Sequence, residues 1–214
     1  NYPELREELR ALGYQFFSSG DTEVILKAYA AWGEQCVERL HGMFAFAIWD
    51  MEKQRLFLAR DRFGIKPLYY SHARDQFRFA STAQALLATG DVDTGIDPIA
   101  LHHQFTLHAV IPAPRTILRG IRKLPPGHTL TLELNGKRTL RRYWRLKATR
   151  PERALSEGEW TEAIHAALRE AVRKRIQIAD VPVGVLLSGG LDSSLLVALL
   201  AEAGVKDLLT FSVG

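Results

Sequence analysis

Ser188-Gly189-Gly190-Leu191-Asp192-Ser193-Ser194 lies between an apolar run, Val181 to Leu187, and a stretch that reads as a helix to about Ala203. A second apolar run, Leu208 to Val213, follows. Strand, glycine loop, helix and strand in that order form a β-loop-α-β unit, the opening of a parallel α/β sheet.

The loop has the context that a phosphate site requires, after a strand and at the start of a helix. Gly189 and Gly190 carry no side chain to block close approach, so backbone N–H groups can point at phosphate oxygens. The helix opening near Asp192 adds its positive end, and Ser188, Ser193 and Ser194 supply hydroxyl donors to the same anion. No Gly-Lys-Ser/Thr of a Walker loop is present. The loop therefore suits a pyrophosphate leaving group better than a gripped γ-phosphate, with ATP cut between its α and β phosphates. The simpler alternative is a glycine turn in which Asp192 only caps the helix.

Upstream, Ser156 and Glu159 have capping-box spacing, and Trp160, Ile164, Leu168 and Val172 follow at helical intervals. Residues 146–158 are polar and aperiodic, which places a linker there. Before it the pattern changes. Leu5, Leu9 and Leu12, then Val24, Ile25, Ala28, Tyr29 and Trp32, give two amphipathic helices, with a short third through Cys36, Val37 and Leu40. Strands are predicted at Met43 to Trp49, Arg55 to Ala59, Pro67 to Tyr70 and Gln76 to Ala80, and short helices at Ser81 to Thr89 and Pro98 to Leu107. Short strands joined by short turns predict an antiparallel sheet. Beyond a proline-rich connection, Leu130, Leu132 and Leu134 alternate up to Asn135-Gly136, a strong hairpin signal, and the partner arm runs from Lys137 to Trp144.

The 214 residues carry a formal net charge of +4, are 47% hydrophobic and 24% charged, and suit one large domain or two small ones. Arg138, Arg141, Arg142 and Arg145 cluster on a predicted strand beside Tyr143 and Trp144. A solvated strand face is the simpler reading of that cluster, and no nucleic-acid partner is expected. Cys36 is the single cysteine, so no disulfide can form within the chain, which fits a reducing cytoplasm. Cys36 lies on an apolar helical stretch and reads as a buried structural thiol. No apolar run reaches the roughly 18 residues of a membrane span, and no membrane partner is expected. His102, His103 and His108 have no partner set at ligand spacing, so no protein metal site is expected. The sequence starts Asn1-Tyr2-Pro3 without Met or a leader pattern and stops at Val213-Gly214, directly after a strand that would need neighbours. The expectation is a piece of a longer protein.

The loop, preceded by Asp180-Val181-Pro182-Val183-Gly184-Val185-Leu186-Leu187, resembles the synthetase domain of the glutamine-hydrolysing asparagine synthetase family. Gly20-Asp21-Thr22-Glu23-Val24-Ile25-Leu26, Gly42-Met43-Phe44-Ala45-Phe46-Ala47 and Arg60-Asp61-Arg62-Phe63-Gly64-Ile65-Lys66-Pro67-Leu68-Tyr69-Tyr70 resemble that family's glutaminase domain. Pro112 to Ile117 and Arg122 to Gly127 fit its connection region. The likeness runs in order along nearly the whole chain.

The resemblance implies an α+β, antiparallel, N-terminal nucleophile-type glutaminase domain (αββα, partial) over residues 1–146, and a linker at 147–158. The start of an α/β parallel-sheet ATP pyrophosphatase domain would follow at 159–214. It implies glutamine as nitrogen source, ATP and Mg²⁺ as cofactors, and a carboxylate acceptor, aspartate or a small peptide, that is adenylated and then converted to an amide. Asp21 would hold the α-amino group of glutamine, although from position alone it serves equally as a helix N-cap. Leu187 and Val213 would contact adenosine. Ser188, Gly189, Gly190, Asp192, Ser193 and Ser194 would form the pyrophosphate loop, Asp192 being the one candidate to approach Mg²⁺. The segment Arg60 to Tyr70 reads as mostly structural. This family's nucleophile is an N-terminal cysteine with a free α-amine, whereas residue 1 here is Asn. No catalytic residue is therefore assigned, and this stretch by itself is expected neither to hydrolyse glutamine nor to make an amide efficiently. A cytoplasmic location is implied, and a homodimer is left open. The stretches 1–23 and 101–114 look especially like the N-acetylglutaminylglutamine amidotransferase branch, and a β-lactam synthetase is a more distant likeness. Two further readings remain: another pyrophosphatase-loop ligase, tRNA-thiolating or NAD-forming, and a non-catalytic nucleotide-binding module.

Overall fold

The computed structural model describes residues 1–179 and 181–212. It divides into two compact units, Asn1–Lys147 and Ala148–Gly214.

In the first unit, α1 (Tyr2–Ala11) opens with Pro3 in its first turn and buries Leu5 and Leu9, one turn apart. Gly13, at φ +92, ends it. Helix α2 (Asp21–Trp32) starts from Gly20, buries Val24 and Ala28, and is closed by Gly33 at φ +59. A single 3-10 turn leads into α3 (Cys36–Arg39). The chain then forms an antiparallel hairpin, β1 (Ala45–Asp50) and β2 (Arg55–Arg60), with Ile48 opposite Phe57. A second hairpin follows in β3 (Tyr69–Ala73) and β4 (Gln76–Ala80). Two helices, α4 (Ala83–Leu87) and α5 (Pro98–Thr106), are capped by the side chains of Thr82 and Asp97. The short β5 (Arg122–Lys123) pairs with β3. Finally β6 (His128–Glu133) and β7 (Arg138–Arg142) turn around Asn135-Gly136 as the sequence predicts, with Gly136 at φ +83.

One antiparallel sheet therefore runs β1-β2-β6-β7 and another β4-β3-β5. Alternation along β2 explains the layers. Phe57 and Ala59 face a core made with Leu5, Leu9, Val24, Ala28, Cys36 and Val37 from the helices. Leu58 faces the opposite way, into a core with Leu68, Leu124 and Leu130, against which Tyr70 and Phe77 of the second sheet pack. The order is helix layer, sheet, sheet.

Two of the strand boundaries that differ from expectation have a local cause. β1 starts at Ala45, not Met43, because the Phe44 N–H is taken by the side chain of Asp61 instead of a ladder partner, at 3.3 Å. β3 continues through Ser71-His72-Ala73, which the sequence suggests is turn. Arg74 and Asp75, both at positive φ, make the reversal themselves, which leaves Ser71 buried inside the pairing.

In the second unit α6 (Glu157–Gln177) begins with the expected capping box: the Glu159 N–H reaches the Ser156 hydroxyl at 3.3 Å, and the Ser156 N–H reaches the Glu159 carboxylate at 2.8 Å. β8 (Gly184–Leu186) pairs in parallel with β9 (Leu209–Phe211), and α7 (Leu191–Glu202) lies between them in sequence. Val172, Val185, Leu199 and Leu200 form the core. Of the predicted apolar face of α6, Val172 is buried and Leu168 packs against it, but Trp160 and Ile164 are about half exposed. No helix among the described residues is long and apolar enough to cross a membrane.

Candidate functional site

Asp21 is the first residue of α2, and Gly20 occupies the N-cap without a side-chain hydrogen bond. The capping role that its position allows is therefore not used. Its carboxylate is exposed and, among the described residues, meets only the Thr22 hydroxyl, at 3.4 Å. Asp21, Thr22, Ile25 and Leu26 line a cleft of about 370 Å³ together with residues 43–48 of the β1 segment and Lys66, Pro67 and Ser81. One carboxylate, one ammonium and an apolar wall fit a small zwitterion carrying a hydrocarbon stem.

The wall of this cleft is held by Asp61, which is 1% exposed. One oxygen of its carboxylate accepts the N–H groups of Phe63 at 3.1 Å and Ile65 at 3.0 Å; the other accepts those of Lys66 at 2.9 Å and Phe44 at 3.3 Å. The Asp61 carbonyl takes the N–H of Gly127 at 2.8 Å. Next to it, the buried Arg60 guanidinium donates to the carbonyls of Lys66, Leu124 and Gly64. Burial lowers the pKa of Arg60 despite the opposing charge of Asp61. Tyr143 donates its hydroxyl to the Arg60 carbonyl at 2.8 Å, and burial pushes its pKa up. Gly64 and Gly127 hold positive φ within this knot. The structural role read for residues 60–70 is thus specific: it fixes Phe44 and Lys66, two lining residues.

The loop that ends on Asp21 is held from two sides. Arg6 of α1 donates to the carbonyls of Ser18 and Gly20, the latter at 2.8 Å, and its guanidinium lies 4.5 Å from the centre of the Phe16 ring. Glu23 accepts from Phe17 N–H at 3.1 Å, Ser18 N–H at 2.8 Å and the Ser18 hydroxyl at 2.7 Å, with Lys27 at 3.3 Å. Burial would raise the Glu23 pKa, but the Ser18 and Phe17 hydrogen bonds and Lys27 overcome it and hold it at about 2. Sequence reasoning missed Arg6, Glu23 and the hub at Asp61. The only signal for the first two is that each is adjacent in sequence to a buried apolar residue, Leu5 or Val24.

In the second unit the loop 188–194 takes the predicted position between β8 and α7. Gly189 has φ +79 and Gly190 is the N-cap, again with no side chain to cap it. The hydroxyls organise the turn. Ser188 and Ser193 oxygens lie 3.1 Å apart, Ser193 donates to the Gly190 carbonyl at 3.1 Å and Ser194 to the same carbonyl at 2.9 Å. Leu187 is tied to β9 by its N–H to the Phe211 carbonyl at 2.8 Å. Asp192 lies in the first turn of α7, whose leading N–H groups have no intrahelical partners. Val213, expected against adenosine, lies outside the described residues, as does Asp180.

Among the described residues no group of three or more His, Cys, Asp or Glu could hold a metal ion. Cys36 is fully buried and its thiol is pushed up to about 12 by burial, the opposite of an activated nucleophile. In the arginine cluster, Arg141 pairs with Glu38 and Arg138 lies 5.9 Å from the Phe77 ring, on the exposed strand β7.

Comparison with known proteins gives the class to which this antiparallel two-sheet unit belongs. Residues 1–144 match the glutamine amidotransferase domain model and residues 163–214 match asparagine synthase. The chain belongs to the glutamine amidotransferase domain family. It is 38% identical to asparagine synthetase [glutamine-hydrolyzing] 3 of Bacillus subtilis and 40% identical to asparagine synthetase [glutamine-hydrolyzing] 1 of the same organism. Each match covers 100% of this chain but 35% and 33% of the relative. The chain thus spans about a third of the length of these relatives. Among solved structures, glutamine phosphoribosylpyrophosphate amidotransferase from B. subtilis overlays 98% of this chain on 42% of its own, at 19% identity and a TM-score of 0.49.

Proposed function

We propose that this chain is the glutamine-recognising part, together with the opening of the ATP-binding part, of an asparagine synthetase-type amidotransferase, a carbon–nitrogen ligase. The observation that carries the reading is the presence in one chain of Asp21, whose exposed carboxylate lines a cleft, and of a hydroxyl-lined loop at the N-terminus of α7. The first unit is then a nucleophile-type glutaminase domain and the second the start of an ATP pyrophosphatase domain. Asp21 accepts the α-ammonium of glutamine. Ser188, Gly189, Gly190, Asp192, Ser193 and Ser194 surround the pyrophosphate, while Leu187 and Val213 approach adenosine. Asp192 is the residue that would approach Mg²⁺, which would offset the phosphate charge. Glutamine releases ammonia, ATP adenylates an acceptor carboxylate with loss of pyrophosphate, and ammonia displaces AMP to leave the amide. The buried Cys36 is no candidate nucleophile. The acceptor is aspartate or, on the likeness of residues 1–23 and 101–114, a dipeptide, and the setting is the cytoplasm.

The test is amide formation by the complete synthetase with glutamine or with ammonia as nitrogen source. Asp21→Asn removes a charge-assisted hydrogen bond of about 1.5–3 kcal/mol, so the KM for glutamine rises roughly 10- to 100-fold while ammonia-dependent turnover holds. Equal glutamine KM values in the two proteins would refute the assignment of Asp21.

A further inference from the structure

Asp21 is the first residue of α2, but its carboxylate does not cap the helix, accepts only a long bond from Thr22 and pairs with no cation among the described residues. The backbone that leads into it is the stretch from Leu12 to Gly20, which contains no helix or strand. Four backbone groups of that loop are bound by two buried charges of opposite sign. Arg6, 9% exposed, takes the Ser18 and Gly20 carbonyls; Glu23, 5% exposed, takes the Phe17 and Ser18 N–H groups. Ser18 is held on both sides, and the Gly20 carbonyl that Arg6 holds belongs to the peptide leading into Asp21.

Closing α1 onto α2 does not require this. Leu5, Leu9, Val24 and Ala28 already bury the helix contact. Buried charges bound to backbone dipoles carry a desolvation cost that apolar side chains of similar size avoid, so their use here favours placement over stability. Arg6 anchors the loop to α1, whereas Glu23 anchors it to the first turn of α2, two residues beyond Asp21. The carboxylate of Asp21 is thereby referenced to both helices at once.

We propose that Arg6 and Glu23 are positioning residues for substrate recognition: together they set the Asp21 carboxylate to receive the α-ammonium of the amide donor. This rests on the glutamine reading given above. They touch no substrate atom and act through the loop, so their removal impairs recognition of the ammonium selectively, more than turnover of the amide as such.

The experiment compares kcat/KM of the complete synthetase for glutamine and for glutaramate, which is glutamine with hydrogen in place of the α-ammonium group. The ratio of the two is the discrimination that Asp21 supplies. Asp21→Asn sets the floor. Glu23→Gln, the isosteric change, and Arg6→Met are expected to lower the ratio at least tenfold toward that floor, mainly through the KM for glutamine, and Arg6→Lys to restore part of it because an ammonium can still hold one carbonyl. A loss of kcat/KM that is equal for both substrates, with the ratio unchanged, overturns the inference and leaves Arg6 and Glu23 as fold residues only. A ratio unchanged in Asp21→Asn itself removes the glutamine reading of the cleft, and the inference with it. Should Arg6→Met fail to fold, Glu23→Gln alone decides.

Discussion

Asp61→Asn isolates what the buried carboxylate contributes, because it keeps the shape and removes the charge. Four N–H groups point at Asp61, two at each oxygen. An amide offers one oxygen, which can still take one pair, Phe63 with Ile65 or Lys66 with Phe44. Its NH₂ then faces the two N–H donors of the other pair, and both are left unsatisfied. A buried donor without a partner costs about 1–3 kcal/mol, and hydrogen bonds to a charged acceptor are at the upper end. Two such donors give about 3–4 kcal/mol after local relaxation, a large share of the roughly 5–15 kcal/mol that holds a domain folded. Urea unfolding monitored by tryptophan fluorescence should show the midpoint lowered at unchanged slope, with Tm lower by about 10 °C. The Gly127 N–H to Asp61 carbonyl bond is untouched by the substitution, so the loss belongs to the side chain alone. A variant within about 0.5 kcal/mol of the parent would refute the account, since the four donors would then have to be satisfied some other way.

Three further outcomes follow from the same geometry. Gly127→Ala places a Cβ 2.6 Å from the Trp144 carbonyl oxygen at φ +64, and the segment after β7 is held close because the Tyr143 and Trp144 N–H groups both donate to the Gly127 carbonyl; it should destabilise by about 2 kcal/mol or more, whereas Gly136→Ala, at φ +83 in open space, should cost only about 1 kcal/mol, both read from urea midpoints. Glu23 has an ordinary pKa of 4.5 and is held at about 2 in the fold, so the stability it contributes is complete above about pH 4.5 and is lost as pH falls through about 2; the gap in urea midpoint between the parent and Glu23→Gln should shrink across that window, and a gap that stays constant across it would contradict the assignment. Ser193→Ala removes the hydroxyl that joins Ser188 to the Gly190 carbonyl, so the KM for ATP in the complete synthetase should rise several-fold with little change in the unfolding midpoint; an unchanged KM would argue against the loop's role.

What could be read in advance follows the range of the interactions. The glycine loop, the capping box at Ser156 and the Asn135-Gly136 hairpin are each complete within a few residues, and the structure has all three where the pattern puts them. Alternation also gave the two hairpins, but not their ends: β1 is shortened by a side chain 17 residues away, and β3 is lengthened by a turn of two non-glycine residues at positive φ. The hub at Asp61 was out of reach for the same reason. Its partners include Phe44 and Gly127, and Arg60 reaches Leu124, contacts that no local period encodes. Arg6 stands out no more than Asp61 does, since a buried arginine bound to carbonyls looks in sequence like any surface arginine.

The two candidate sites solve one problem by different means. A nucleotide loop needs donors that converge on an anion, and a helix N-terminus supplies them from the backbone itself; the serines of 188–194 need only hold the turn, through hydrogen bonds spanning at most five residues. A cleft that selects one small amino acid needs a single carboxylate at a fixed place, and Asp21, at the very start of α2, is only as fixed as the loop that leads into it. The position is therefore tied down from elsewhere: by Arg6 and Glu23 for the loop before Asp21, and by Asp61 for Phe44 and Lys66, which line the same cleft. Each of these buried charges is bound chiefly to backbone, where an apolar side chain would have contributed stability without placement. A substitution at Asp61 should therefore be felt in the glutamine KM as well as in the unfolding midpoint, because Phe44 and Lys66 line the same cleft as Asp21. An Asp61→Asn protein that is less stable yet keeps the parental glutamine KM would show that the two walls are set independently.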